Sequence, residues 1–154
     1  MDYTAISCGI AGQEKMSAVK DANEKINIEI KELFKDGYRR FLLALTGETV
    51  LLFAENALDF REEYPDMGID ILIPFDGWIE QQKDSERYKA VTLQAESVHF
   101  SCEEEYEDSN NICNTQLLGF GRCLTVIHDG NDKAMAELIE ESCNAEQNVK
   151  EIRL

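Results

Sequence analysis

The sequence predicts an α/β protein, a three-layer fold around a mainly parallel sheet of six strands. Three observations carry that prediction. Short apolar segments alternate along the chain with segments of helical period, the order that strands joined by crossover helices require. Residues 69–75, IDILIPF, are almost continuously apolar, as a strand covered on both faces must be. Residues 41–55, FLLALTGETVLLFAE, pass from an apolar run through Thr46-Gly47-Glu48 into helical sequence, which is how a strand hands over to a helix in such folds.

Taken in order, residues 4–8 read as a short strand that ends near Cys8, followed by Gly9-Ile10-Ala11-Gly12 as a turn allowing close backbone approach. A helix is expected over 14–36, with Val19, Ala22, Ile26, Ile30, Leu33 and Phe34 as its apolar stripe and Gly37 as its cap. The second strand is 40–45, and the second helix, 47–63, must stop before Pro65. After the third strand, 69–75, residues 76–83 read as a loop in which Trp78 is either a lid or a surface residue packed on the domain. A helix over 84–95, with Asp84 or Ser85 as cap, precedes a fourth strand at 97–102. The acidic run 103–108 reads as solvated surface, since it lacks the ligand spacing and turn glycine of a calcium loop. A short helix over 111–120, a strand at 123–128, a helix capped by Asn131 or Asp132 and a strand at 149–154 complete a Rossmann-like pattern. Its ligand crevice belongs at the carboxyl ends of the strands.

Composition narrows the function classes. Fifteen basic against thirty-one acidic residues leave a net charge of −16, which opposes attraction to nucleic acid or anionic lipid, so neither is expected as a partner. No apolar run approaches the roughly 20 residues that span a bilayer, and MDYTAISC lacks a signal peptide's basic and apolar regions, so a cytoplasmic location is expected. The five cysteines, Cys8, Cys102, Cys113, Cys123 and Cys143, form no CxxC pair and read as reduced thiols, with no metal site among them. Cys8 stays open as a site residue or a small buried one.

Chemistry-bearing motifs are sparse. No Walker loop, GxGxxG, HExxH or GxSxG occurs, and no cofactor is expected. His99 and His128 fall within strands and read as packed or edge residues. His128-Asp129 is the one acid–base pair worth testing beside the crevice. The junction at 46–48 has the backbone of an anion cradle, because the first turn of a helix leaves N–H groups unpaired. Glu48 opposes that use. Two like charges about 4 Å apart at an effective dielectric near 20 repel by about 4 kcal/mol, against about 0.3–1 kcal/mol from the helix dipole.

The order of elements, with Gly37-Tyr38 before Phe41, Ala54-Glu55, Tyr64-Pro65, Ile73-Pro74-Phe75, Glu86-Arg87-Tyr88, Asn114 and Asp129-Gly130, resembles the YpsA-like branch of the SLOG superfamily over nearly the whole chain. The resemblance implies one Rossmann-like domain over residues 1–154 and a nucleotide-derived ligand at the strand ends. It also shows departures. The family's acidic position after strand two is Val50, its Arg-Asn pair is Cys113-Asn114, and its Gly-Gly-Thr after strand five is Asn131-Asp132-Lys133. Cys8-Gly9-Ile10-Ala11 stands where Thr-Gly-His-Arg is frequent. The PGGxGTxxE motif of the related phosphoribohydrolases is absent.

Three readings follow. The first is a non-catalytic domain that binds a small nucleotide-like but not strongly anionic ligand, or a protein partner, through Cys8, Gly9, Gly12, Thr46, Gly47, Glu48, Asn114, Asp129 and Gly130. The second is a phosphoribohydrolase-like enzyme using Asp129 or Glu48 for proton transfer, with Asn114 orienting a ribose. The third is a structural domain acting as a homodimer.

Overall fold

The computed structural model describes residues 6–154. Its elements are β1 (Ser7–Gly12), α1 (Val19–Lys35), β2 (Arg40–Ala44), α2 (Glu48–Glu63), β3 (Gly68–Phe75), α3 (Ser85–Leu93), β4 (Ser97–Cys102), α4 (Ser109–Thr115), β5 (Cys123–His128), α5 (Lys133–Asn144) and β6 (Asn148–Arg153). The six strands form one sheet in the order β4-β3-β2-β1-β5-β6, and every neighbouring pair is parallel. The predicted α/β class is therefore correct.

Alternation along the strands builds two apolar layers. Ile10, Phe41, Leu43, Ile69, Ile71 and Ile127 face one way and pack under α1, α2 and α3. Ala11, Leu42, Ala44, Leu72, Leu124 and Val126 face the other and pack on Cys113, Leu117, Met135 and Leu138 from the α4–α5 side. Helix α1 buries Ala22, Ile26, Ile30 and Leu33, one stripe at helical spacing. It ends at Gly37, whose φ of +101 suits the left-handed residue past a helix end, and the Tyr38 N–H closes back on the Leu33 carbonyl at 3.1 Å. Helix α2 buries nine residues around its circumference, because α1 and α3 flank it.

Three expectations are corrected. Gly9-Ile10-Ala11-Gly12 is not a turn but the body of β1, paired on both sides by β2 and β5. Of the strand expected over 4–8, residues 4 and 5 lie outside the described residues, while Ser7 and Cys8 begin β1 instead of ending it. The first helix starts at Val19 rather than 14, and residues 13–18 form a loop over the carboxyl end of the sheet. Trp78 is 4% exposed and edge-on to Tyr88 at 5.2 Å, so it is a packed wall residue. Residues 103–108 are exposed.

Candidate functional site

The chain leaves β1 towards β2 on one side and returns from β4 to β5 on the other, so the order reverses between β1 and β5. At such a switch point the two carboxyl ends diverge and open a crevice. Gln13 closes its base. Its N–H donates to the Ile127 carbonyl at 2.9 Å, its Oε1 accepts from the Asp129 N–H at 2.8 Å, and its Nε2 donates to the Lys15 carbonyl at 2.7 Å. Above it lies a cleft of about 400 Å³ lined by Gly12, Glu14 and Lys15, by Asn110, Asn111 and Asn114 of α4, and by Asp129, Asn131, Asp132, Ala134 and Met135. With Gln13 at the base, five of the side chains around the cleft are amides.

Two of the helices that begin at this edge have their starts covered, α2 by the 13–18 loop and α5 by a side-chain cap, whereas α1 carries no side-chain cap. At α2 the Glu48 N–H donates to the Glu14 carbonyl at 2.8 Å, and Thr49 Oγ1 donates to the Gln13 carbonyl at 2.6 Å. A Cβ on Gly47 would stand 2.5 Å from Glu14 Cα, so the 13–18 loop lies directly on the place where an anion would enter. At α5 the Asp132 carboxylate accepts from the Met135 N–H at 3.1 Å. With Glu14, Asp129 and Asp132 against the single cation Lys15, the cleft wall carries excess negative charge.

Asn114 differs from its neighbours. It is 5% exposed, yet its Oδ1 is buried with no hydrogen-bond partner. A buried amide left in that state costs about 1–3 kcal/mol, so the position is held at a cost to the fold. Thr46 Oγ1, in the wall of an adjoining pocket with Gly47, Glu48, Trp78 and Tyr88, is likewise buried without a partner.

The other expected residues separate. Gly12, Asn114 and Asp129 line the cleft, and Thr46, Gly47 and Glu48 line the adjoining pocket. Gly130 adopts a φ of +89 in the turn after β5 and packs on Arg153. Cys8 and Gly9 are not at the crevice. Cys8 lies at the amino end of β1 with its Sγ 2.9 Å from Cys123 Sγ, and burial pushes its thiol up. Gly9 supports Leu117 and Leu124, where an added Cβ would meet each at 3.2–3.3 Å. His128 turns from the crevice. Its Nδ1 accepts from the Gly130 N–H at 3.1 Å, leaving Nε2 to donate to Glu151 at 2.6 Å. The Asn131 N–H at 2.8 Å, with help from Gln13, holds the Asp129 carboxyl below its ordinary range, which suits a fixed anion and not a proton shuttle. Gln13, Asn110, Asn111 and Asn131 were missed. The sequence signal was the run Ser109-Asn110-Asn111, with Asn114 one helical turn beyond Asn110.

The family model described as the YspA SLOG family (YpsA) matches residues 2–153. The chain belongs to the YpsA SLOG family. A curated relative, a UPF0398 protein of Bacillus velezensis, is 30% identical over 107 residues, covering 68% of this chain. This YpsA-family chain spans about 58% of that relative's length. Among solved structures, the DNA processing protein A (DprA) of Streptococcus pneumoniae superposes on 97% of this chain and 50% of its own with a TM-score of 0.70 at 10% identity, a likeness of fold. Among the described residues, no helix of this family member is long and apolar enough to cross a membrane.

Proposed function

We propose that this YpsA-family protein is a non-catalytic binding domain whose β1/β5 cleft takes a small, uncharged, hydrogen-bonding ligand of nucleoside type. The observation that carries the reading is the unpartnered amide oxygen of buried Asn114 in the cleft wall. A nucleobase edge or ribose hydroxyl offers the donor that Asn114 Oδ1 lacks once this shielded amide turns into the cleft, and the neighbouring amides can both donate and accept. Phosphate is disfavoured, because the 13–18 loop covers the start of α2, Asp132 caps α5 and the cleft wall is acidic. A cytoplasmic setting belongs to the same reading, and the net charge of −16 argues against nucleic-acid partners.

Calorimetry with a panel of nucleosides and their phosphorylated counterparts tests it. A nucleoside is expected to bind more tightly than its monophosphate or ADP-ribose, and Asn114→Leu to weaken it about 10- to 100-fold. Micromolar binding of ADP-ribose with no nucleoside binding would overturn the proposal. Catalysis is disfavoured by the engaged states of His128 and Asp129, so no base is expected to be released from nucleoside monophosphates. Release that Asp129→Asn abolishes would establish the enzyme reading instead.

A further inference from the structure

The sheet ends at β4, and this edge is unprotected. Natural edge strands are blunted by charge, proline or a bulge, because open N–H and C=O groups recruit other strands. Residues 97–102, SVHFSC, carry none of these between Glu96 and Glu103. The Glu96 N–H points inward to the Ile69 carbonyl at 2.8 Å, so alternation turns the peptide groups of Ser97, His99 and Ser101 outward. Among the described residues only Gln116 Nε2, at 3.3 Å from the Ser101 carbonyl, reaches that edge.

Beside the edge lies an apolar groove of about 340 Å³ lined by Ile73, Ile79, Leu93, Val98 and Phe100. Leu93 is 86% exposed, Phe100 52% and Val98 38%, so half of the exposed large hydrophobic side chains among the described residues lie here. On a chain of net charge −16 this strip is an apolar surface with Asp76, Glu80 and Lys89 at its margin.

We propose that a second copy of this chain covers the strip, with β4 pairing antiparallel to β4 of the other copy about a two-fold axis at His99. The strand reads alike in both directions: Ser97, apolar Val98, His99, apolar Phe100, Ser101. Antiparallel pairing centred on His99 therefore sets Val98 opposite the other copy's Phe100 and exchanges the outward N–H and C=O groups of the two His99 residues. A partner of unrelated sequence would have to supply that match, whereas a second copy has it by symmetry. Charge agrees as well. Asp76 and Glu80 follow the carboxyl end of β3 and Lys89, at the middle of α3, lines the same groove, so its rim offers both signs of charge to a second copy. The result is one continuous sheet through both copies. This inference is independent of the nucleoside cleft, which opens at the β1/β5 switch point.

Sedimentation equilibrium from roughly micromolar to millimolar chain, a range that captures weak as well as tight association, tests it. The expected result is a dimer that Phe100→Glu and His99→Pro each weaken at least about 100-fold, while Ile28→Glu, at an exposed apolar position on α1, leaves it unchanged. Phe100 is a surface residue, so the fold survives its replacement, and circular dichroism checks both edge variants. A monomer throughout the range, a dimer that survives either edge substitution, or one lost equally in Ile28→Glu would overturn the pairing.

Discussion

At Gly47 the backbone is extended, with φ 175, so no conformational need selects glycine there. Space does. A Cβ would meet Glu14 Cα at 2.5 Å and Glu14 O at 2.6 Å, both backbone atoms that cannot swing aside. Gly47→Ala is expected to cost about 1–3 kcal/mol in urea unfolding, as overpacking does. An unchanged midpoint would mean that the 13–18 loop does not rest on α2. Gly12 belongs to the same contact, since a Cβ there would come within 2.1 Å of Thr49 Oγ1. The glycines that suggested a ligand turn thus serve helix-on-strand and loop-on-helix packing.

Among the elements, α2 depends on the loop that crosses its start. Thr49 is fully buried and donates to the Gln13 carbonyl at 2.6 Å, so its hydroxyl ties the loop to the helix. Thr49→Val keeps the shape and removes the donor. It is expected to cost about 1–2 kcal/mol, because a buried carbonyl loses its partner, and to speed amide exchange over residues 13–18. If exchange there stays as slow as in the parent protein, the hydroxyl does not hold the loop. Edge strand β4 shows the opposite economy: its inner edge is committed to β3, while among the described residues its outer edge has Gln116 alone.

The molecule as a whole buries groups that resist ionisation. Burial pushes the Tyr88 hydroxyl from an ordinary 10.0 up to about 12 and the Cys113 thiol from 9.0 up to about 12. Because the folded values are raised, the fold gains most while these groups are protonated in both states. That gain is complete below their ordinary values and is lost as pH climbs from about 9 towards about 12. Urea midpoints are therefore expected to fall across that window, and Tyr88→Phe to reduce the fall. A midpoint flat from neutrality to the top of the window would show that neither group is held protonated by the fold.

Residue order alone determined the layers of this protein. Ile69 to Phe75 could only be a doubly covered strand, Ala22 to Leu33 only a one-sided helix, and a strand-to-helix alternation only a parallel sheet. Periodicity is a local property, so it can be read without coordinates. The strand at the start is not legible locally, because glycines within it resemble a turn, and only pairing from β2 and β5 on both sides decides between the two. The cleft needed the fold more than anything else did. Gln13, Asn114 and Asp129 lie far apart in the chain and meet only because the sheet reverses direction between β1 and β5. What fills the start of α2, and which way His128 turns, were likewise decided by contacts between distant segments, which no local pattern encodes.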